Sequence, residues 1–142
     1  MVQKNIRETL QSIAILTRKK YSRELRKLNL HIGQELALFH LWEKDGISQS
    51  ELRKKTGTKA STMSNMLNKL ENDEIIYRQR DSEDQRVIHV FLTEKGKKLQ
   101  ASVEELWKAH EDALLAGILE EEKLFLRRLL NQIEDNLREE RE

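Results

Sequence analysis

Residues Ser48 to Gly96 read SQSELRKKTGTKASTMSNMLNKLENDEIIYRQRDSEDQRVIHVFLTEKG, and their hydrophobic period changes twice. Apolar residues recur first at helical spacing and then at the period of two that marks a half-buried strand, before a new helix begins. Two short helices, a β-hairpin and a further helix are therefore expected, in that order.

The first helix opens at Ser48, whose hydroxyl can cap the backbone while Glu51, three residues on, reaches back to complete a capping box. Leu52 is its main apolar anchor. Gly57 stands where a left-handed residue ends a helix, and Thr58 is placed to cap the next one. In that second helix Ala60, Met63, Met66, Leu67 and Leu70 share one face and are expected to pack inward. Ser61, Asn65 and Asn68 lie opposite, flanked by Thr62 and Lys69. The run from Arg53 to Leu70 carries Arg53, Lys54, Lys55, Lys59 and Lys69 but no Asp or Glu, in a chain with 25 acidic residues. Such a surface suits phosphate. The plainer alternative is an ordinary solvated helix pair, and the helical pattern alone does not separate the two.

The hairpin does. Ile75–Arg80 and Val87–Leu92 are rich in β-branched and aromatic residues, and Ile88, Val90 and Leu92 alternate with Val87, His89 and Phe91. Asp81 to Arg86, DSEDQR, is a polar loop that joins them at the surface. A two-stranded hairpin is marginal in water, so its inward residues are expected to pack on the preceding helices, with His89 facing outward. Asp84 is spaced to hold the Arg86 guanidinium by a charge-assisted hydrogen bond. As a plain surface ion pair this contributes little to stability. As a fixed cation on a protruding loop it suits the negative potential of a narrow minor groove.

These segments resemble, in order and spacing, the MarR (multiple antibiotic resistance regulator) family of transcriptional regulators. LHIGQELALFHL (Leu30–Leu41) is similar to the helix before the DNA-binding pair, SQSEL (Ser48–Leu52) to its first helix, and KASTMSNMLNKLE (Lys59–Glu71) to the recognition helix. DSEDQR matches the D-x-R signature of the wing through Asp84 and Arg86, and LTEKG (Leu92–Gly96) the segment leaving it. The resemblance implies a mainly α chain with a small β-hairpin wing. It comprises a winged helix-turn-helix lobe at 30–96 and dimerisation helices at 1–29 and 97–142, all in one 1–142 chain. Three positions depart from the pattern. Glu74 replaces a common glycine, leaving Asn72 or Asp73 to supply the tight turn. Asn65 stands where arginine is frequent, which favours an adenine edge over guanine. His31 replaces a usual threonine or serine at a helix cap.

The resemblance assigns Ser61, Thr62 and Asn65 to base edges and Arg53, Lys54, Thr58, Lys59, Ser64 and Lys69 to phosphates. Arg86, oriented by Asp84 and supported by Arg80, is assigned to the minor groove. It also implies a small-molecule effector, for which Tyr21, Phe39, Trp42 and Trp107 are candidate pocket residues, although aromatic residues on helices more often form plain core. The implied activity is sequence-specific binding of double-stranded DNA by a homodimeric repressor. The alternatives are a non-specific architectural DNA-binding protein and a winged-helix module for protein contact.

The whole chain agrees with these expectations. Its 142 residues suffice for a small core with helical arms, and 36% of them are charged. Residues 1–46 hold nine basic and five acidic residues and 47–98 hold eleven and eight, whereas 99–142 hold six and twelve. A basic DNA-binding body with an acidic end fits this distribution, although for the end itself solubility is reason enough. Lys4, Arg7 and Glu8 interrupt any leader-like apolar stretch, no run suits a membrane, and the cytoplasm is the expected location. With no cysteine, disulfides and thiol-based redox sensing are excluded.

Apolar stripes recur at Ile6, Leu10, Ile13, Leu16, Leu25 and Leu28, and again at Leu99, Val103, Leu106, His110, Leu114 and Ile118. A break near Gly117 precedes a last stripe at Leu126, Leu130, Ile133 and Leu137. These stripes exceed what a small lobe can cover, so a two-fold dimer is expected. His31, His40, His89 and His110 lack metal-ligand spacing, so no metal or other cofactor is expected; His110 with Glu111 and Asp112 is the one weak candidate. No catalytic motif such as G-x-S-x-G or a phosphate-cradling glycine loop is present, and no enzymatic activity is expected.

Overall fold

The computed structural model describes residues 2–139. Its elements are α1 (Ile6–Arg26), α2 (Ile32–Glu43), α3 (Gln49–Thr56), α4 (Ala60–Asn72), β1 (Ile76–Arg80), β2 (Ile88–Leu92), α5 (Glu94–Leu114) and α6 (Glu120–Glu139). The chain forms two compact units, Met1–Leu106 and Trp107–Glu142. Among the described residues no helix is long and apolar enough to cross a membrane.

In the first unit, α1 begins in a reciprocal cap. Asn5 Oδ1 accepts from Glu8 N at 2.8 Å, and Glu8 Oε2 accepts from Asn5 N at 3.3 Å. α1 ends where Asn29 turns left-handed, and the Leu30 amide bonds back to Leu25 O at 3.1 Å. Both leucines are buried, which fixes the entry into α2.

α2 is the centre of the lobe, with Ala37, Leu38 and Leu41 fully buried. The same core includes Ile47, Leu52 of α3, Met63, Leu67 and Leu70 of α4, Ile75, Ile76, Val90 and Leu92 of the hairpin region, and Val103 of α5, all buried. Met66 rests its sulfur on Gly33, where an added Cβ would sit 2.7 Å from it. The strands pair antiparallel from Ile76↔Leu92 to Arg80↔Ile88, each starting one residue inside its expected range. The hairpin is also stitched to the loop between α2 and α3. Gly46 N donates to Val90 O at 3.0 Å, and Val90 N to Ile47 O at 2.9 Å. These bonds and the buried Val90 supply the support that an isolated hairpin lacks.

The segment leaving the hairpin explains its own composition. Thr93 Oγ1 accepts from Gly96 N at 3.1 Å and donates toward Glu74 O and Ile75 O at 2.6 and 3.0 Å. A Cβ on Gly96 would fall 2.2 Å from Ile75 O, so only glycine fits this approach.

Four local expectations are corrected. Ser48 does cap α3, accepting from Glu51 N at 3.1 Å, but the Glu51 carboxylate turns to Lys44 Nζ at 3.5 Å, so the box is half made. Gly57 turns left-handed as expected, with φ +67°. One more residue then precedes α4, so Lys59, with extended backbone and no side-chain bond, is the N-cap and Thr58 lies outside it. Ala60, in the first turn of α4, is exposed because the helix start protrudes beyond the core. After α4 neither Asn72 nor Asp73 supplies the left-handed turn. Glu74 does so itself, at φ +59°.

In the second unit the end of α5 and α6 flank a turn at Gly117, whose φ is +84°. Leu119 N finds Glu122 Oε1 at 2.9 Å, and Lys123 Nζ finds Glu120 Oε1 at 2.8 Å, so the acidic run closes the first turn of α6. Leu124, Phe125, Leu129, Leu130 and Leu137 of α6 are exposed.

Candidate nucleic-acid interface

The apolar face of α4 is occupied by the core, which leaves Ser61, Thr62, Asn65, Asn68 and Lys69 exposed and Ser64 half-buried. The three residues expected to read bases thus share a solvent-facing surface. No acidic residue lies in the first turn of α4, and its N-cap makes no side-chain bond. No carboxylate from the first turn of α4 therefore competes for the amides at that end.

α3, the start of α4 and the wing enclose an open groove of about 740 Å³. Ser48, Arg53 and Ala60 line one side and Arg86 and Val87 the other. Arg53 and Arg86, 33 positions apart in sequence, therefore open on one space. Lys54 and Lys59 are exposed on the same two helices and Thr58 is half-buried between them. Lys69 is at the far end of α4, where its ammonium lies 3.2 Å from His31 Nε2 at the start of α2.

The wing is built from its two aspartates outward. Asp81 Oδ2 accepts from the Glu83 and Asp84 amides at 3.0 and 2.9 Å, an Asx turn that shapes a loop without glycine. Asp84 then accepts from Arg86 three times: from N and Nε on Oδ1, both at 3.1 Å, and from Nη2 on Oδ2 at 3.3 Å. Arg86 is held this way while 91% of its side chain stays exposed. Its guanidinium, then its amide, holds the Asp84 carboxyl below the usual carboxylate range. Arg80 braces the turn from below through Nη1 to Gln85 O at 2.6 Å.

Three contributors escape the sequence reading. Arg78 donates through Nε and Nη2 to Glu71 Oε2 at 3.0 and 2.7 Å, and through Nη2 to Asn68 Oδ1, which pins α4 to β1. Asp81 is the hub of the loop. His89 is half-buried rather than pointing freely outward, with Nδ1 2.9 Å from Gly46 O and Nε2 3.0 Å from Asp81 Oδ1. Strand alternation puts His89 opposite the buried Val90 but carries no hint of the loop carbonyl beside it. The repeated aspartates of Asp81-x-x-Asp84 are a readable turn signal.

The aromatic candidates are dispersed in role. Trp42 Nε1 donates to Gly96 O at 3.0 Å, and Phe39 meets the His40 ring edge-on at 5.3 Å. Tyr21, Phe39 and Trp42 belong to the first unit and Trp107 to the second. Among the described residues no cluster of three or more His, Cys, Asp or Glu is arranged to hold a metal ion.

A helix-turn-helix with a β-hairpin fastened to it and extended by long helices is a winged helix-turn-helix regulator in its architecture. Comparison with known proteins makes the class specific. A sequence model of the MarR family matches residues 30–88. The HTH-type transcriptional regulator BilQ of Clostridium symbiosum is 30% identical over 110 residues, 78% of this chain and 76% of its own length. The organic hydroperoxide resistance transcriptional regulator of Bacillus subtilis is 34% identical over 82 residues, 58% of this chain, which spans 56% of that relative's length. Among solved structures, a point variant of S. aureus MepR superimposes with a TM-score of 0.84 at 25% identity, covering 94% of this chain and 99% of that one. A second MepR variant, bound to an oligodeoxyribonucleotide, gives 0.67 at 26% identity, covering 95% and 99%. The chain belongs to the MarR family of transcriptional regulators.

Proposed function

We propose that the chain is a homodimeric repressor that binds a palindromic duplex operator, with α4 in the major groove and the wing in the adjacent minor groove. The observation that carries the reading is the common groove lined by Arg53, the start of α4 and the exposed but fixed Arg86. A phosphate strand fits between two such cations, and a guanidinium already held in place loses less freedom on entering a minor groove. The MepR variant bound to an oligodeoxyribonucleotide supports it, since the folds agree over nearly all of both chains.

In this reading Ser61, Thr62 and Asn65 touch base edges. Arg53, Lys54, Thr58, Lys59, Ser64 and Lys69 neutralise or bond phosphates. Residues 30–96 act as the DNA-binding lobe, and the helices of 1–29 and 97–142 pair with a second copy to set two recognition helices roughly 34–36 Å apart. The exposed Ile6, Ile13 and Leu16 of α1 and the exposed leucines of α6 support that pairing. A small ligand near Tyr21, Phe39 and Trp42 would release the operator by changing this spacing, and the protein would act in the cytoplasm, where the chromosome lies.

A gel shift against a randomised duplex pool, repeated over a range of salt, tests the reading. The expected result is recovery of a palindrome with a steep salt slope. Weak, sequence-blind binding would make the protein architectural, and no binding would leave a module for protein contact.

A further inference from the structure

We infer that His89 is a positioning residue for the wing, coupling the loop between α2 and α3 to Arg86 through Asp81 and Asp84, so that its imidazolium form favours DNA binding. The coupling is a feature of the free protein, and its effect on DNA rests on the operator-binding reading above.

Gly46 O and the Asp81 carboxylate can only accept hydrogen bonds, yet each lies within 3.0 Å of a His89 ring nitrogen. A neutral imidazole has one N–H, so it can satisfy only one of them. Both bonds exist together only when the ring is doubly protonated. The same Asp81 carboxylate uses its other oxygen to hold the Glu83 and Asp84 amides, and Asp84 in turn holds Arg86. Deprotonating His89 breaks one of the two bonds, so the link from Gly46 through the ring to Asp81 is cut whichever nitrogen keeps its hydrogen, and the loop that aims Arg86 loosens.

The surroundings favour the charged ring. On the loop side stand Asp45, whose Oδ1 accepts from Leu92 N at 2.8 Å, and the Gly46 carbonyl. On the hairpin side stand Asp81 and Arg80, with the Arg80 guanidinium directed to Gln85 O. Neutral Ser48 of the α3 cap bridges to His89 through the backbone. Asp45, Asp81 and the engaged Arg80 line the same cleft as the ring. The Asp81 carboxylate, then the Gly46 carbonyl, holds the His89 pKa above its ordinary value. Asp81 is shifted the opposite way, by the Asp84 amide first and by His89 next, as a mutually supporting pair requires. The raised value sets the sign. Tethering is complete below the ordinary histidine pKa and is lost as pH rises through the higher value in the folded chain.

Nitrogen-resolved NMR of the isotope-labelled full chain, from about pH 6 to about pH 8.5, tests the coupling without DNA. The Arg86 Nε–H signal should move with the same midpoint as the His89 ring nitrogens, and should stay still in His89→Gln. An Arg86 signal that is flat while His89 titrates would overturn the inference. The second arm is fluorescence anisotropy with a labelled duplex recovered from the random pool. Across the same pH range wild type should lose about three- to fivefold more affinity than His89→Gln, and the difference should vanish in an Arg86→Ala background. Equal pH slopes with and without His89 would also overturn it. If the pool yields no duplex, the operator reading fails while the NMR arm still decides the coupling. Asp81→Asn, which keeps a loop acceptor but weakens the His89 bond, should mimic His89→Gln even if one variant folds poorly.

Discussion

α4 and α6 carry the same kind of apolar repeat and meet opposite fates. In α4, Met63, Leu67 and Leu70 are no more than 1% exposed, whereas in α6 Leu130 is 44% and Leu137 60% exposed. Helical periodicity reports that a face is apolar; it does not report what covers it. For α4 the cover is α2 and the hairpin, both encoded within thirty residues on either side of it. For α6 no comparable cover exists among the described residues of its own unit, and a second copy of the chain is the cover proposed above. Under that proposal two apolar faces of like pattern belong to different levels of organisation, one to folding and one to assembly.

The largest expected effect breaks this contrast at the assembly level. Leu130→Asp places a charge on an exposed position of the single chain, where substitution normally changes stability by no more than about 0.5 kcal/mol. In a dimer the same carboxylate would be buried without a partner. Sedimentation at micromolar concentration should therefore show a dimer for wild type and a monomer for the variant. A monomeric wild type would remove the reason for the exposed face and leave α6 unexplained.

At the folding level, Leu67→Ala should lower the unfolding free energy in urea by about 3 kcal/mol, since a fully buried leucine leaves a cavity that a packed lobe only partly refills. A loss below about 1 kcal/mol would mean that the core around α4 collapses freely. The exposed side of the same helix should behave differently. Asn65→Ala should leave stability nearly unchanged but cost about 1–3 kcal/mol of discrimination at one base pair per half-site. Uniform weakening across operator variants would instead make Asn65 a phosphate contact.

The legible parts of the molecule are those written in local chemistry. Ser48, Gly57 and Gly117 mark helix ends, and the period-two run marks the hairpin. The Asp84–Arg86 pair forms as its spacing suggests. The parts that sequence reading misses depend on groups that meet only after folding. Arg78 reaches Glu71 across the turn between α4 and β1, and His89 meets a carbonyl 43 positions away. Strand alternation assigns a side, not a partner. Thr58 and Ala60 depart from expectation because a single extra residue between Gly57 and α4 moves the cap and lifts the helix start out of the core. To the base-reading roles the structure adds the exposure of Ser61, Thr62 and Asn65 on one surface, and to the phosphate roles the exposure of Arg53, Lys54, Lys59 and Lys69, with Thr58 and Ser64 half-buried.

The smallest effect expected separates backbone strain from packing within the well-covered lobe. Glu74 adopts φ +59°, a conformation that costs a residue with a Cβ about 1–2 kcal/mol. Its side chain is exposed, and its structural contacts are made by the backbone: N donates to Glu71 O at 3.0 Å and O accepts from Thr93 Oγ1 at 2.6 Å. Glycine preserves both contacts and relieves the strain, but gives the unfolded chain more freedom to lose. The balance favours Glu74→Gly by about 0.5–1 kcal/mol, read as a higher urea midpoint with an unchanged slope. A lower midpoint would show that the glutamate side chain stabilises the turn by more than its backbone strain costs. In that case the departure from the family pattern at this position would be a compensated one rather than a tolerated defect.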